Sequence, residues 1–148
     1  MEEIIKKFNS GKIRYLVLGG QAMRLEGLPR FSMDWDIFIP PSDKTNLEKI
    51  NALLGDLLDL PLEPLGHKGE NFIQTYQLPC GIVQFHLGVP GLPSFEEAEK
   101  EAIWHRTEND VPVRCLCAGH LLAAKKAANR PQDQIDIEFL NEKLGLGD

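Results

Sequence analysis

Two short stretches decide the reading of this chain: Leu18-Gly19-Gly20-Gln21-Ala22, and then Arg30-Phe31-Ser32-Met33-Asp34-Trp35-Asp36-Ile37. The first closes the apolar, β-forming run Arg14 to Leu18 with a glycine pair. Glycine permits positive φ and close backbone approach. A helix that starts at such a turn offers free N–H groups to an anion. The second stretch places two carboxylates one residue apart at the start of another apolar run. Residues two apart in a strand share a face, so Asp34 and Asp36 project together with Trp35 between them. Two like charges on one face are costly without a cation. A hard divalent ion such as Mg²⁺ suits them, because it is held by one or two carboxylates plus phosphate oxygens. Arg30 adds a bidentate phosphate fork, and Ser32 adds a hydroxyl donor.

Working outward, Glu2 to Phe8 reads as a helix stopped by Ser10-Gly11, and Gln21 to Glu26 as a short helix closed by Gly27. Asp34 to Ile39 reads as the second strand. A helix capped by Ser42 follows, with Leu47, Ile50, Leu53, Leu54 and Leu57 on its apolar face. Asn71 to Leu78 and Ile82 to Leu87 read as a hairpin through Pro79-Cys80-Gly81. Val89 to Ser94 is the clearest internal linker. Beyond it, Phe95 to Ile103 reads as a helix and Val111 to Leu116 as a short strand. Ala118 to Asn129 is a helix, and another begins at Pro131 and runs to about Leu144. The chain lacks the sustained βαβ rhythm of a doubly wound sheet. Its glycine pair also lacks the third glycine of a dinucleotide fingerprint.

Composition sets the outer limits. A chain of 148 residues with 43% apolar and 26% charged residues fits one globular domain. A net charge of −6 disfavours sequence-independent binding to nucleic acid. Three cysteines without a second close pair read as free thiols, not as a disulfide framework or a cysteine-rich zinc site. His67, His105 and His120 have no ligand spacing and read as ordinary polar residues. Met1 to Ser10 is charged rather than apolar, and no run approaches the roughly 18 apolar residues of a membrane span. The expected location is the cytoplasm, with no membrane partner.

The run Gly19-Gly20-x-Ala22, Gly27, Arg30-x-Ser32-x-Asp34-Trp35-Asp36 resembles the signature of the nucleotidyltransferase superfamily, the polymerase-beta-like fold. The likeness is greatest to the minimal nucleotidyltransferases and the AbiE-type toxins. The stretch from Leu121 to Ile137 resembles that group's second signature, a lysine helix followed by Arg130-Pro131-x-Asp133 and a further Asp136. The resemblance implies an α/β (α+β) fold, a small mixed sheet flanked by helices with a helical C-terminal portion. One domain over 1–148 is expected, with a sheet-containing core over 1–88 and a mainly helical part over 94–148. It also implies transfer of a nucleoside monophosphate from an NTP to a hydroxyl acceptor. Asp34 and Asp36 would be the catalytic, Mg²⁺- or Mn²⁺-binding carboxylates. Gly19, Gly20, Arg30, Ser32 and Lys125 would bind the nucleotide. A toxin–antitoxin pair is one setting, in which an antitoxin protein would be a partner. The group usually carries a third carboxylate on a neighbouring strand, and here Gln84 occupies that place as a third, neutral metal ligand. The alternative reading is therefore a catalytically impaired nucleotide-binding or regulatory module.

Overall fold

The computed structural model describes residues 1–146. Helix α1 (Glu2–Ser10) packs Ile4, Ile5 and Phe8 inward and leads to strand β1 (Leu16–Leu18), whose three residues are all buried. Helix α2 (Gly19–Glu26) begins at the very next residue. It ends at Gly27, whose φ of 113° is the left-handed conformation that glycine adopts without steric cost. Strand β2 (Trp35–Phe38) returns antiparallel to β1, with Leu18 opposite Asp36. Helix α3 (Lys44–Leu54) is capped by Asp43, not by Ser42: the Asp43 carboxylate accepts from the Asn46 N–H at 3.0 Å. That bond holds the carboxyl below its usual range. Leu57 lies past the helix end, in a separate 3₁₀ turn.

Strands β3 (Ile73–Leu78) and β4 (Gly81–His86) form the expected hairpin, with Leu78 opposite Gly81. Strand β4 then lies parallel to β2, in register from Trp35–Val83 to Phe38–His86. Helix α4 (Phe95–Lys100) is capped by the Ser94 hydroxyl. It is shorter than the sequence reading, because the chain turns into strand β5 (Ile103–Arg106) and then β6 (Pro112–Cys115). These two strands pair antiparallel, and β6 joins β1 in parallel through Val17 and Cys115. The described part of the segment 94–148, residues 94–146, thus holds helices but also completes the sheet, in the order β3-β4-β2-β1-β6-β5; residues 147–148 lie outside the described residues. Helix α5 (Ala118–Ala128) closes at Asn129 in the left-handed conformation. Pro131–Asp133 forms a 3₁₀ turn, and α6 (Gln134–Lys143) follows.

The core runs across the sheet through Leu16, Val17, Ile37, Phe85, Val113 and Cys115, and into the helices through Phe8, Ile50, Leu121 and Leu140. Full burial of each large side chain contributes about 1.5–3 kcal/mol. Arg14 fastens the helices of one edge, donating to Asp43 at 3.0 Å and to Glu99 at 2.8 Å and 3.0 Å. No helix among the described residues is long and apolar enough to cross a membrane.

Candidate active site

The candidate site begins where β1 becomes α2. Gly19 has a φ of 71°, and a Cβ there would lie 2.4 Å from the Asp36 Oδ2. At Gly20 a Cβ would lie 2.4 Å from the Ser32 Oγ. The glycine pair therefore lets the carboxylate strand and the Arg30–Asp34 loop close onto the start of α2. Gln21, buried on α2, fixes that loop by donating to the Ser32 carbonyl at 2.7 Å. The Ser32 hydroxyl in turn donates to the Asp34 carbonyl at 3.3 Å. Gln21 belongs to neither motif, and its one signal in the sequence is an amide inside an otherwise apolar helix start.

Asp36 stands between Leu18 on β1 and Gln84 on β4, directly in register with both. Strand alternation turns Val83 and Phe85 into the core and leaves Gln84 and His86 on the opposite face. The His86 Nε2 lies 2.9 Å from the Asp36 Oδ1. Asp34 sits one residue before β2, exposed at the mouth.

All these groups face one cleft of about 660 Å³. It is lined by Gly19, Gly20, Arg30, Ser32, Asp34, Asp36, Gln84 and Lys125, every site residue that the sequence singled out. Phe72 and Ile73 on one side, and Val89 and Pro90 on another, supply apolar wall that the sequence did not point to.

The second signature forms the opposing wall. Lys125 is only 9% exposed, and its Nζ lies 2.9 Å from Asp136 and 3.3 Å from Asp133. Arg130 clamps Asp133 in a two-pronged pair at 2.8 Å and 2.9 Å. That pairing holds the Asp133 carboxyl below its usual range, with Lys125 adding to the effect. Arg30 reaches across from the first signature to Asp136 at 2.5 Å. Three cations thus share two buried carboxylates, Asp133 and Asp136, which leaves that wall electropositive beside the exposed Asp34 and the half-buried Asp36. Lys126 is exposed and is no part of the network.

Asp34, Asp36 and Gln84 bring two carboxylates and a carboxamide to the lining of this cleft. Hard oxygen donors of this kind fit Mg²⁺ or Mn²⁺.

No family model and no curated protein sequence matches the chain. Solved structures do match it in three dimensions. TM1012 of Thermotoga maritima, a candidate nucleotidyltransferase, superposes with a TM-score of 0.62 at 14% identity, over 97% of this chain and 89% of that one. The complex of ANT(2″)-Ia with adenylyl-2″-tobramycin superposes with a TM-score of 0.58 at 17% identity, over 97% of this chain and 86% of that one. The solution structure of the antibiotic-resistance factor ANT(2″)-Ia gives the same TM-score and identity, over 81% of its length. At these identities the likeness establishes the fold. The chain has the nucleotidyltransferase fold, a mixed six-stranded sheet with flanking helices.

Proposed function

We propose that the protein is a divalent-metal-dependent nucleotidyltransferase, moving a nucleoside monophosphate from an NTP to an acceptor hydroxyl and releasing pyrophosphate. The observation that carries this reading is the single cleft that gathers both signatures. It sets an anion-binding helix start and the Asp34–Asp36 pair opposite a wall of Lys125, Arg130 and Arg30. Asp34, Asp36 and the Gln84 amide oxygen would hold Mg²⁺ or Mn²⁺, which when bound neutralises charge on the transferring phosphoryl group. The chain's own groups do the rest. The first N–H groups of α2 and the guanidinium of Arg30 orient the phosphates, and the electropositive wall attracts the triphosphate. His86, held on Asp36, is the imidazole of the cleft and the group able to take the acceptor's proton. The relative solved with an adenylylated aminoglycoside makes a polyhydroxylated small molecule the first acceptor class to test. A toxin setting with an antitoxin partner rests on the motif resemblance alone.

The test is pyrophosphate release from each NTP with Mg²⁺ or Mn²⁺. The Asp34→Asn/Asp36→Asn protein is expected to lose on the order of 10²-fold or more in turnover. Calorimetry should show weak binding of metal alone and tighter binding beside a non-hydrolysable NTP. Equal metal binding by the double variant would sink the site. Gln84 favours a second reading, a binding module without chemistry, since a neutral amide replaces charge beside Asp36. A wild type that binds NTP with metal yet releases no pyrophosphate would establish that reading instead.

A further inference from the structure

A second group of ligating side chains lies away from the cleft. Glu101 closes α4 at its C-terminal end, Cys117 is the N-cap of α5, and His120 stands in the first turn of α5. The chain between α4 and α5 passes through the β5–β6 hairpin, so Glu101 meets the Cys117–His120 pair only because that hairpin returns to the sheet beside β1. One ligand atom from each lies within 4.8 Å of the other two. The His120 Nε2 is 3.1 Å from the Glu101 Oε2. The His120 Nδ1 is sealed from solvent, and no protein group hydrogen-bonds it. Nε2, the ring nitrogen beside Glu101, is the atom placed to ligate an ion in the cluster. The Cys117 side chain makes no capping hydrogen bond, so its sulfur is not committed to the helix end. None of the three residues lines the cleft.

We propose that Glu101, Cys117 and His120 form a second metal site for a divalent cation of the zinc class. The donor set decides the class. A thiolate and an imidazole are borderline-soft ligands that select Zn²⁺, whereas Mg²⁺ prefers all-oxygen shells. Bond lengths of about 2.0–2.3 Å in a tetrahedral shell place ligand atoms roughly 3.3–3.8 Å apart, which small side-chain adjustments reach from the present arrangement. The fourth position is left for water. Binding replaces the Cys117 S–H bond with an S–metal bond and releases that proton to solvent. The ion would staple the end of α4 to the start of α5, the helix that carries Lys125 into the cleft. It would act on stability and not on the reaction, and the proposal is independent of the function proposed above.

Cobalt(II) is the probe, because a thiolate ligand gives it a near-ultraviolet charge-transfer band and a tetrahedral shell gives it strong visible bands. One equivalent of Co²⁺ should produce both bands, and Zn²⁺ should abolish them by displacement. The thermal midpoint should rise with Zn²⁺ concentration, since a ligand that binds only the folded state stabilises it by mass action. Cys80→Ser removes an exposed thiol and should change nothing. Asp34→Asn/Asp36→Asn should also keep the full spectrum, which separates this site from the cleft. Cys117→Ser should lose the charge-transfer band. His120→Ala and Glu101→Gln should each bind Co²⁺ more weakly than the about 10–100-fold loss typical of an outer-shell change. Glu101 is exposed, so Glu101→Gln leaves the fold intact and keeps the test decisive if His120→Ala destabilises it. A band that survives in Cys117→Ser, or disappears in Cys80→Ser, overturns the proposal. So does unchanged Co²⁺ affinity in Glu101→Gln, which would reduce the cluster to a surface ion pair beside a thiol.

Discussion

At the residue scale the two glycines of the β1–α2 turn have different physical roles. Gly19 needs its left-handed φ and its closeness to Asp36; Gly20 needs only room for Ser32. A side chain at Gly19 costs about 1–2 kcal/mol in backbone alone, before the collision with the carboxylate. Gly19→Ala should therefore lower both the thermal midpoint and nucleotide binding. Gly20→Val pushes on the Oγ and Cβ of Ser32 in the loop before β2. It should weaken NTP binding strongly, by moving Ser32 and Arg30, with a smaller loss of midpoint. Parallel thermal melts and binding titrations of the two variants check this ordering. Gln84→Asp is the complementary residue-scale test. A third carboxylate in register with Asp36 should lower apo stability by like-charge repulsion. Mg²⁺ should restore that stability, and pyrophosphate release should increase. An inert variant with no metal-dependent recovery would remove Gln84 from the metal site.

At the scale of elements, the two signatures are joined by ion pairs rather than by apolar packing alone. Arg30 from the β2 side and Lys125 from α5 both end on Asp136 of α6. Removing one partner of a buried pair leaves an uncompensated charge and costs about 3–5 kcal/mol. Asp136→Ala should destabilise by less than that, because Lys125 keeps Asp133 at 3.3 Å and Arg30 is partly exposed, and urea unfolding measures the loss. The loss should exceed that of Lys126→Ala, an exposed neighbour on α5. Asp133 gives the network an acid limit. Its folded-state carboxyl titrates below the ordinary value because of Arg130 and Lys125. Its contribution is therefore complete above the unfolded value of about 3.9 and fades as pH falls through the lower folded value. Acid unfolding should weaken the protein from about pH 4 downward, and Asp133→Asn should flatten that part of the profile.

At the scale of the whole molecule, one sheet draws its strands from both sides of the internal linker. Strand β1 is interior, with β2 on one side and β6 on the other. The residues before the internal linker therefore lack a neighbour for β1 and the core side chains Val113, Leu116, Leu121 and Leu140. A 1–88 fragment should show no cooperative thermal transition and should expose apolar surface to a hydrophobic dye. Tyr15 ties the same two halves together. Its hydroxyl donates to Asn9 at 2.7 Å and accepts from the Arg114 N–H at 3.2 Å. Burial pushes its ionisation up to about 12, against about 10 in an unfolded chain. The stabilisation is thus whole below pH 10 and is lost as pH rises toward 12. Tyr15→Phe should be less sensitive to alkali in that window.

The sequence by itself determined what is local. The glycine pair, the Asp34–Asp36 spacing and the apolar runs around them fixed a strand–turn–helix and a carboxylate strand. Short-range sterics and strand alternation were enough for that, and the same local patterns placed the β3–β4 hairpin and the helix at Ala118. Gln84 was singled out by the family resemblance, and the pairing of β4 with β2 sets it in register with Asp36. Only the tertiary structure decided what lies far apart in the chain. Strand β5 was hidden because Ile103 to Arg106 is too short to carry a period, and its pairing with β6 supplies the missing signal. Asp43 rather than Ser42 caps α3, because the Asn46 N–H and Arg14 converge on that carboxylate. Lys125 carries the same local pattern whether it faces solvent or a buried pair of aspartates. Cys117 and His120 stand three residues apart at the start of α5, but Glu101 shares no ligand spacing with them. The β5–β6 hairpin must close before Glu101 joins that pair, because contact between distant residues is a property of the folded sheet and not of sequence periodicity.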